Sequence, residues 1–125
     1  MAVKVGIDLV DARAIRESVD EHADRYLERV YTPRELEDCA SAAGIDSRRL
    51  AARFAAKEAT IKALRPATHQ PVAWRDVGVR REPDGSVELE LDGTAASLAH
   101  ERGVQQLAVS LTHEGDMAAA VVVAR

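Results

Sequence analysis

The run from Leu50 to Leu64, LAARFAAKEATIKAL, constrains the fold more than any other part of the chain. It is built from strong helix formers and contains neither glycine nor proline. It stops at Arg65-Pro66, because a residue that precedes proline is pushed out of the helical region. Asp46 or Ser47 can cap its start, which predicts one long helix up to residue 65. Such a helix needs a second layer, and the period-two segments supply it. Val3, Val5, Ile7 and Leu9 alternate with Lys4, Gly6, Asp8 and Val10, which reads as a strand. Val77 and Val79 open another strand, Pro83-Asp84-Gly85 turns the chain, and Val87, Leu89 and Leu91 return it. Leu107 to His113 and Met117 to Ala124 form two more, around Glu114-Gly115-Asp116. Shorter helices fill the gaps. Residues 11–30 are charged and helical in pattern, in one or two pieces. Thr32-Pro33-Arg34-Glu35 is a capping box with proline at the first helical position, and that helix ends before Gly44. Gly93-Thr94 opens a helix that ends at Gly103, and residues 66–74 form a loop. The class is α+β, an antiparallel sheet with packed helices, in one domain over residues 1–125.

Composition then removes whole classes of function. The longest apolar run, Met117 to Ala124, is far too short to span a membrane, and the start MAVKVGIDLV lacks the features of a secretory signal. A cytoplasmic protein with no membrane role is expected. Cys39 is the single cysteine, so no disulfide framework exists. A net charge of −4 with 3% aromatic residues argues against nucleic-acid binding. The charge is uneven, however. Residues 47–65 carry Arg48, Arg49, Arg53, Lys57, Lys62 and Arg65 against Glu58 alone. A basic segment in an acidic chain suits a small anionic ligand, an acidic protein partner, or simply a solvated helix face.

Two acids stand out. Leu50, Phe54, Ile61 and Leu64 fall on one helix face, and Glu58 lies on that same stripe. A carboxylate there is paired with Lys62 one turn on, bound to a metal, or set at the lip of a cleft. Asp8 interrupts an apolar strand, so it faces either solvent on an edge or a ligand. If the two converge, they offer oxygen ligands to a hard cation. Magnesium takes one or two protein carboxylates and completes its octahedron with water and phosphate oxygens. Arg53, Lys57 and Lys62 would then carry the remaining phosphate charge. Zinc-type His/Cys spacing, a glycine-rich phosphate loop and a nucleophile elbow are all missing. His113 ends a strand beside a turn, a place where a lone histidine is more often structural than catalytic.

Taken together, these segments resemble the holo-acyl carrier protein synthases, the small 4′-phosphopantetheinyl transferases. The resemblance is carried by Gly6-Ile7-Asp8-Leu9-Val10-Asp11, by Val30-Tyr31-Thr32-Pro33-Arg34-Glu35-Leu36, by Arg53-Phe54-Ala55-Ala56-Lys57-Glu58-Ala59 with Lys62-Ala63-Leu64, and by Val109-Ser110-Leu111-Thr112-His113. It implies transfer of the phosphopantetheine arm of coenzyme A to a serine of an apo acyl carrier protein, with release of adenosine 3′,5′-bisphosphate. It also implies magnesium, and a homotrimer whose active sites lie between neighbouring subunits. Asp8 and Glu58 match the metal acids, and Lys62 joins them as the third catalytic residue. Arg53, Lys57, Lys62 and His113 match positions around the coenzyme A phosphates, and the Gly85 turn matches a loop that reaches the nucleotide from a neighbouring chain. Arg13, Arg16, Arg25 and Arg29 match the surface that receives the carrier protein. The base for the serine proton is either Glu58 or a water on the metal. The resemblance has departures: Thr112 stands where serine is usual, Arg65-Pro66 where a glycine is common, and Ser86 where a basic residue is common. Competing readings are a non-catalytic coenzyme A-binding or oligomerising relative and a magnesium-dependent phosphohydrolase.

Overall fold

The computed structural model describes residues 2–67 and 69–125. Thr68, inside the loop expected over residues 66–74, lies outside the described residues. Strand β1 (Lys4–Asp11) leads into helices α1 (Ala12–His22), α2 (Asp24–Val30) and α3 (Pro33–Asp38). A two-residue ladder, β2 (Ala40–Ser41) with β3 (Gly44–Ile45), precedes the long helix α4 (Ser47–Leu64). A 3-10 turn at Trp74–Asp76 enters the hairpin β4 (Val77–Arg81) and β5 (Val87–Leu91), followed by α5 (Gly93–Glu101) and the hairpin β6 (Leu107–Glu114) and β7 (Met117–Ala124). The strands do not form one sheet. β1, β7 and β6 make a three-stranded antiparallel sheet in that order, and β4–β5 and β2–β3 are separate antiparallel pairs. Among the described residues no helix is long and apolar enough to cross a membrane.

The helix boundaries follow local chemistry. Residues 11–30 break into two helices at Ala23, which takes a positive φ of 46°. Thr32 and Glu35 form the expected reciprocal capping box. Asp46, rather than Ser47, caps α4, its carboxylate accepting from the amides of Arg48 and Arg49. At the other end Arg65 takes the left-handed conformation, φ 52°, ordinarily given to glycine. The Arg102 guanidinium answers the carbonyls left open there, donating to Leu64 O at 3.3 Å and Arg65 O at 2.7 Å. The β2–β3 ladder was not anticipated. It forms because α3 stops at Asp38 and Gly44, at φ 108°, turns the chain back.

The core of α4 differs from the expected stripe. Leu50 and Leu64 are buried, but Phe54, Glu58 and Ile61 are only half-buried. The face that meets the sheet is alanine: Ala51, Ala55, Ala56, Ala59 and Ala63 are fully buried, opposite Ala118, Ala120, Val122 and Ala124 of β7. Small side chains let the helix lie close on the strands. The approach is closest at Gly6, where a Cβ would run into the Ala59 carbonyl oxygen. This contact decides which way β1 faces. Gly6 and Asp8 turn toward α4, while Val3, Val5, Ile7 and Leu9 are 64, 59, 66 and 65% exposed. Solvent-facing alternation of Asp8 is therefore overturned: the aliphatic row faces out and the acid faces the helix.

Candidate active site

Asp8 meets α4 through Lys62, whose ammonium donates to Asp8 Oδ1 at 2.9 Å and to the Ile7 carbonyl at 3.0 Å. Glu58 lies one turn before Lys62, and its Oε1 accepts from the Trp74 indole N–H at 2.6 Å. The Glu58–Lys62 pair that the spacing allowed is not formed among the described residues, because Lys62 reaches across to β1 instead. Asp8, Glu58 and Lys62 thus flank one turn of α4 where it crosses β1. Asp8 on β1 and Glu58 on α4, both half-buried, are the residues that would hold a magnesium ion. No cluster of three or more His, Cys, Asp or Glu able to hold a metal occurs among the described residues. A cation held by these two acids would therefore draw its other ligands from water and substrate, as magnesium does.

Lys57 has a different place. It is fully buried, and its ammonium donates to Glu35 Oε1 at 2.6 Å, Val77 O at 2.6 Å and Trp74 O at 3.2 Å. An ammonium has three protons and these contacts use all of them, so Lys57 does not face a ligand phosphate. The resemblance set it around coenzyme A; here its ammonium is taken up by Glu35 and two backbone carbonyls. Burial pushes the Lys57 pKa down, opposed by the adjoining Glu35 carboxylate. Glu35, read from the sequence only as half of a capping box, also accepts from the Val79 amide at 2.8 Å and so ties α3, α4 and β4 together. The signal for this role is long-range pairing, which local spacing does not carry.

A cleft of about 610 Å³ opens at the N-terminal half of α4. It is lined by Arg48, Arg49, Arg53, Arg81, Gly85 and His113, among others. Arg53 is 5% exposed, and its Nε has no hydrogen-bond partner among the described residues. A buried donor without a partner is costly. Gly85, at φ 89°, sits at the tip of the β4–β5 turn with open space where a Cβ would project. His113 is exposed at the end of β6, in register with Ala118. Arg48, Arg49 and Arg81 escaped the sequence reading as cleft residues, although two of them belong to the basic segment it singled out. Asp8, Glu58 and Lys62 do not line this cleft, so one chain presents the acids and the basic pocket at different places.

The four arginines of the expected carrier surface are not equivalent. Arg13 is held by Asp11, Nη2 to Oδ2 at 2.7 Å, which lowers the Asp11 pKa and spends much of the arginine's charge. Arg16, Arg25 and Arg29 are exposed, but Glu17, Asp20 and Glu21 share α1 with Arg16. The surface is mixed in charge rather than uniformly basic.

With this geometry in place, comparison identifies the class. The family model of the 4′-phosphopantetheinyl transferase superfamily matches residues 4–122, and the chain belongs to that superfamily of transferases. Within it, the chain is 39% identical over 123 residues to the holo-[acyl-carrier-protein] synthase of Geotalea daltonii, covering 98% of each. It is 41% identical to the enzyme of the same name from Geobacter sulfurreducens, covering 98% of this chain and 97% of the relative. Its fold matches the solved ACPS-CoA complex of Chronobacterium ammoniagenes with a TM-score of 0.85 at 32% identity, covering 100% of this chain and 98% of that one.

Proposed function

We propose that this chain is a holo-[acyl-carrier-protein] synthase. It transfers the 4′-phosphopantetheine group of coenzyme A to a serine of an apo acyl carrier protein and releases adenosine 3′,5′-bisphosphate. The observation that carries the reading is the placing of Asp8, Lys62 and Glu58 at the β1–α4 crossing, in a chain that the superfamily model matches over residues 4–122. In the reaction, a bond forms between the serine oxygen and the phosphorus next to pantetheine. The bond from that phosphorus to the bridging pyrophosphate oxygen breaks, the bridging oxygen leaves on the nucleotide, and the serine hydroxyl gives up its proton to a base, for which Glu58 or a water is available. Asp8 and Glu58 would hold magnesium, which when bound neutralises pyrophosphate charge and polarises the phosphorus. Lys62 places a positive charge beside Asp8, where it can stabilise charge that builds on the transferring phosphate. Arg53 and His113, with Arg48, Arg49 and Arg81, bind the anionic nucleotide end, and the Gly85 turn approaches it. Arg16, Arg25 and Arg29 receive the acidic carrier, with a smaller share from Arg13.

The assembly we propose is a homotrimer in the cytoplasm. Two observations support it: the exposed row Val3, Val5, Ile7 and Leu9, and the separation of the acids from the basic cleft within one chain. A neighbour would supply the missing half of each site, the Gly85 turn included. An intact-mass assay tests the activity, with this protein, coenzyme A, magnesium and an apo acyl carrier protein. The expected outcome is a carrier mass gain of one phosphopantetheine, lost without magnesium and in Asp8→Ala and Glu58→Ala. Release of free phosphopantetheine would indicate a hydrolase instead. Coenzyme A binding with no carrier gain would indicate a binding-only relative.

A further inference from the structure

We infer that Trp74 is a positioning residue for Glu58: its indole N–H orients the carboxylate that would hold the metal. The inference rests on the reading of Glu58 as an acid of the magnesium site. Glu58 stands on a half-exposed face of α4, where a glutamate's three torsions would otherwise be free. The Trp74 Nε1–Oε1 hydrogen bond of 2.6 Å fixes them. An indole nitrogen donates and cannot accept, so it holds the oxygen without competing for a cation, and lone pairs remain on both carboxylate oxygens. Magnesium demands near-ideal octahedral geometry, so a ligand turned in advance binds it better than a mobile one.

Trp74 is itself held from several sides. Its ring packs on Phe54, centroids 5.8 Å apart, one turn before Glu58 on the same helix. Its carbonyl accepts from Lys57, the residue immediately before Glu58, and the same ammonium binds the Val77 carbonyl where the 3-10 turn enters β4. The buried Glu35–Lys57 pair therefore fixes the 3-10 turn against α4 at the height that brings the indole to Glu58. This gives the fully buried Lys57 a part in the site without any contact to substrate.

The test uses the full chain with coenzyme A present, and manganese as a countable stand-in for magnesium. Free manganese is measured by electron paramagnetic resonance for wild type, Trp74→Phe and Glu58→Gln. Phenylalanine keeps an aromatic ring against Phe54 and removes the donor together with some ring volume. Trp74→Phe is expected to bind manganese about 10-fold more weakly, with a parallel rise in the magnesium needed for transfer and an unchanged KM for coenzyme A at saturating metal. A merely structural defect would move that KM as well, and this result would overturn the inference. Because Trp74 is the single tryptophan, wild-type emission must also change saturably with magnesium, a readout that needs no substitution at Trp74. Absence of that change overturns the inference. Manganese binding by Trp74→Phe as tight as wild type, while Glu58→Gln loses it, overturns the role of Trp74 and leaves the Glu58 reading standing. Manganese binding by Glu58→Gln as tight as wild type overturns both.

Discussion

Lys57 and Glu58 are neighbours in sequence, yet one is sealed in the core and the other stands at the candidate metal site. The difference is rotation: consecutive helix residues point about 100° apart, enough to send one side chain to Glu35 and the next to Trp74. Removing one member of the Glu35–Lys57 pair would strand a buried charge, at about 3–5 kcal/mol. Cys39 makes a more specific prediction. Burial pushes its thiol up to about 11, from an ordinary 9.0. Between these values the unfolded chain has lost the proton that the native chain keeps. The stabilisation is therefore complete below pH 9 and is lost as pH rises through about 11. In that window the stability of the wild type is expected to fall more steeply than that of Cys39→Ala, by up to about 1.4 kcal/mol per pH unit. Urea unfolding of both proteins across the window measures this. Parallel slopes would show that the thiol is not desolvated in the native state.

At the scale of elements, the crossing of α4 over β1 organises the site, and Gly6 permits it. Gly6→Ala places a methyl against the Ala59 carbonyl oxygen, so helix and strand must separate. The expected cost is about 3 kcal/mol, the upper range for overpacking, with a loss of transfer because Asp8 leaves the turn that carries Glu58 and Lys62. Gly78→Ala is the control. Its Cβ would meet the Glu90 carbonyl oxygen at an ordinary 3.4 Å, and it should stay within about 1 kcal/mol of wild type. Equal urea midpoints for the two variants would refute the close-approach argument. The same crossing shows what the sequence made legible. The order of the main helices and strands was readable because caps, turns and periodicity are local signals. The capping box at Thr32, the proline stop at Arg65 and the hairpin turns are of that kind. The packing face of α4 was not, because hydropathy favours Phe54 and Ile61 while the sheet selects alanine for closeness. Asp8 and Glu58 stood out as acids in unusual positions, whereas Lys62 was one cation of a basic segment and was singled out only by the family resemblance. Trp74 and Glu35 did not, since each acts through a partner distant in sequence.

At the scale of the whole molecule, the outer face of the sheet sets the next test. Val5, Ile7 and Leu9 lie along an edge strand with Val3 just before it, joined on that face by exposed Met117 and Val123 of β7. An exposed apolar edge of this kind is an aggregation hazard for a lone chain, and a second copy would remove it. Burying each large aliphatic side chain contributes about 1.5–3 kcal/mol, so a row of four is a strong seam. Ile7 pairs with Val121 at its centre. Ile7 and Asp8 are adjacent and point to opposite faces of the sheet, so Ile7→Glu charges the seam without touching the acid cluster of its own chain. Sedimentation velocity is expected to show a trimer for wild type and a monomer for Ile7→Glu, with an unchanged helical signal in circular dichroism. Transfer should fall with the trimer if each site needs a neighbour. The sharper version mixes two inactive proteins, Asp8→Ala and Arg53→Ala, and lets the subunits exchange. If the acids of one chain work with the basic cleft of the next, mixed trimers contain intact sites and transfer returns. If acids and cleft serve each other within one chain, every mixed trimer lacks an intact site and transfer stays absent, which would overturn the shared-site proposal while leaving the trimer standing.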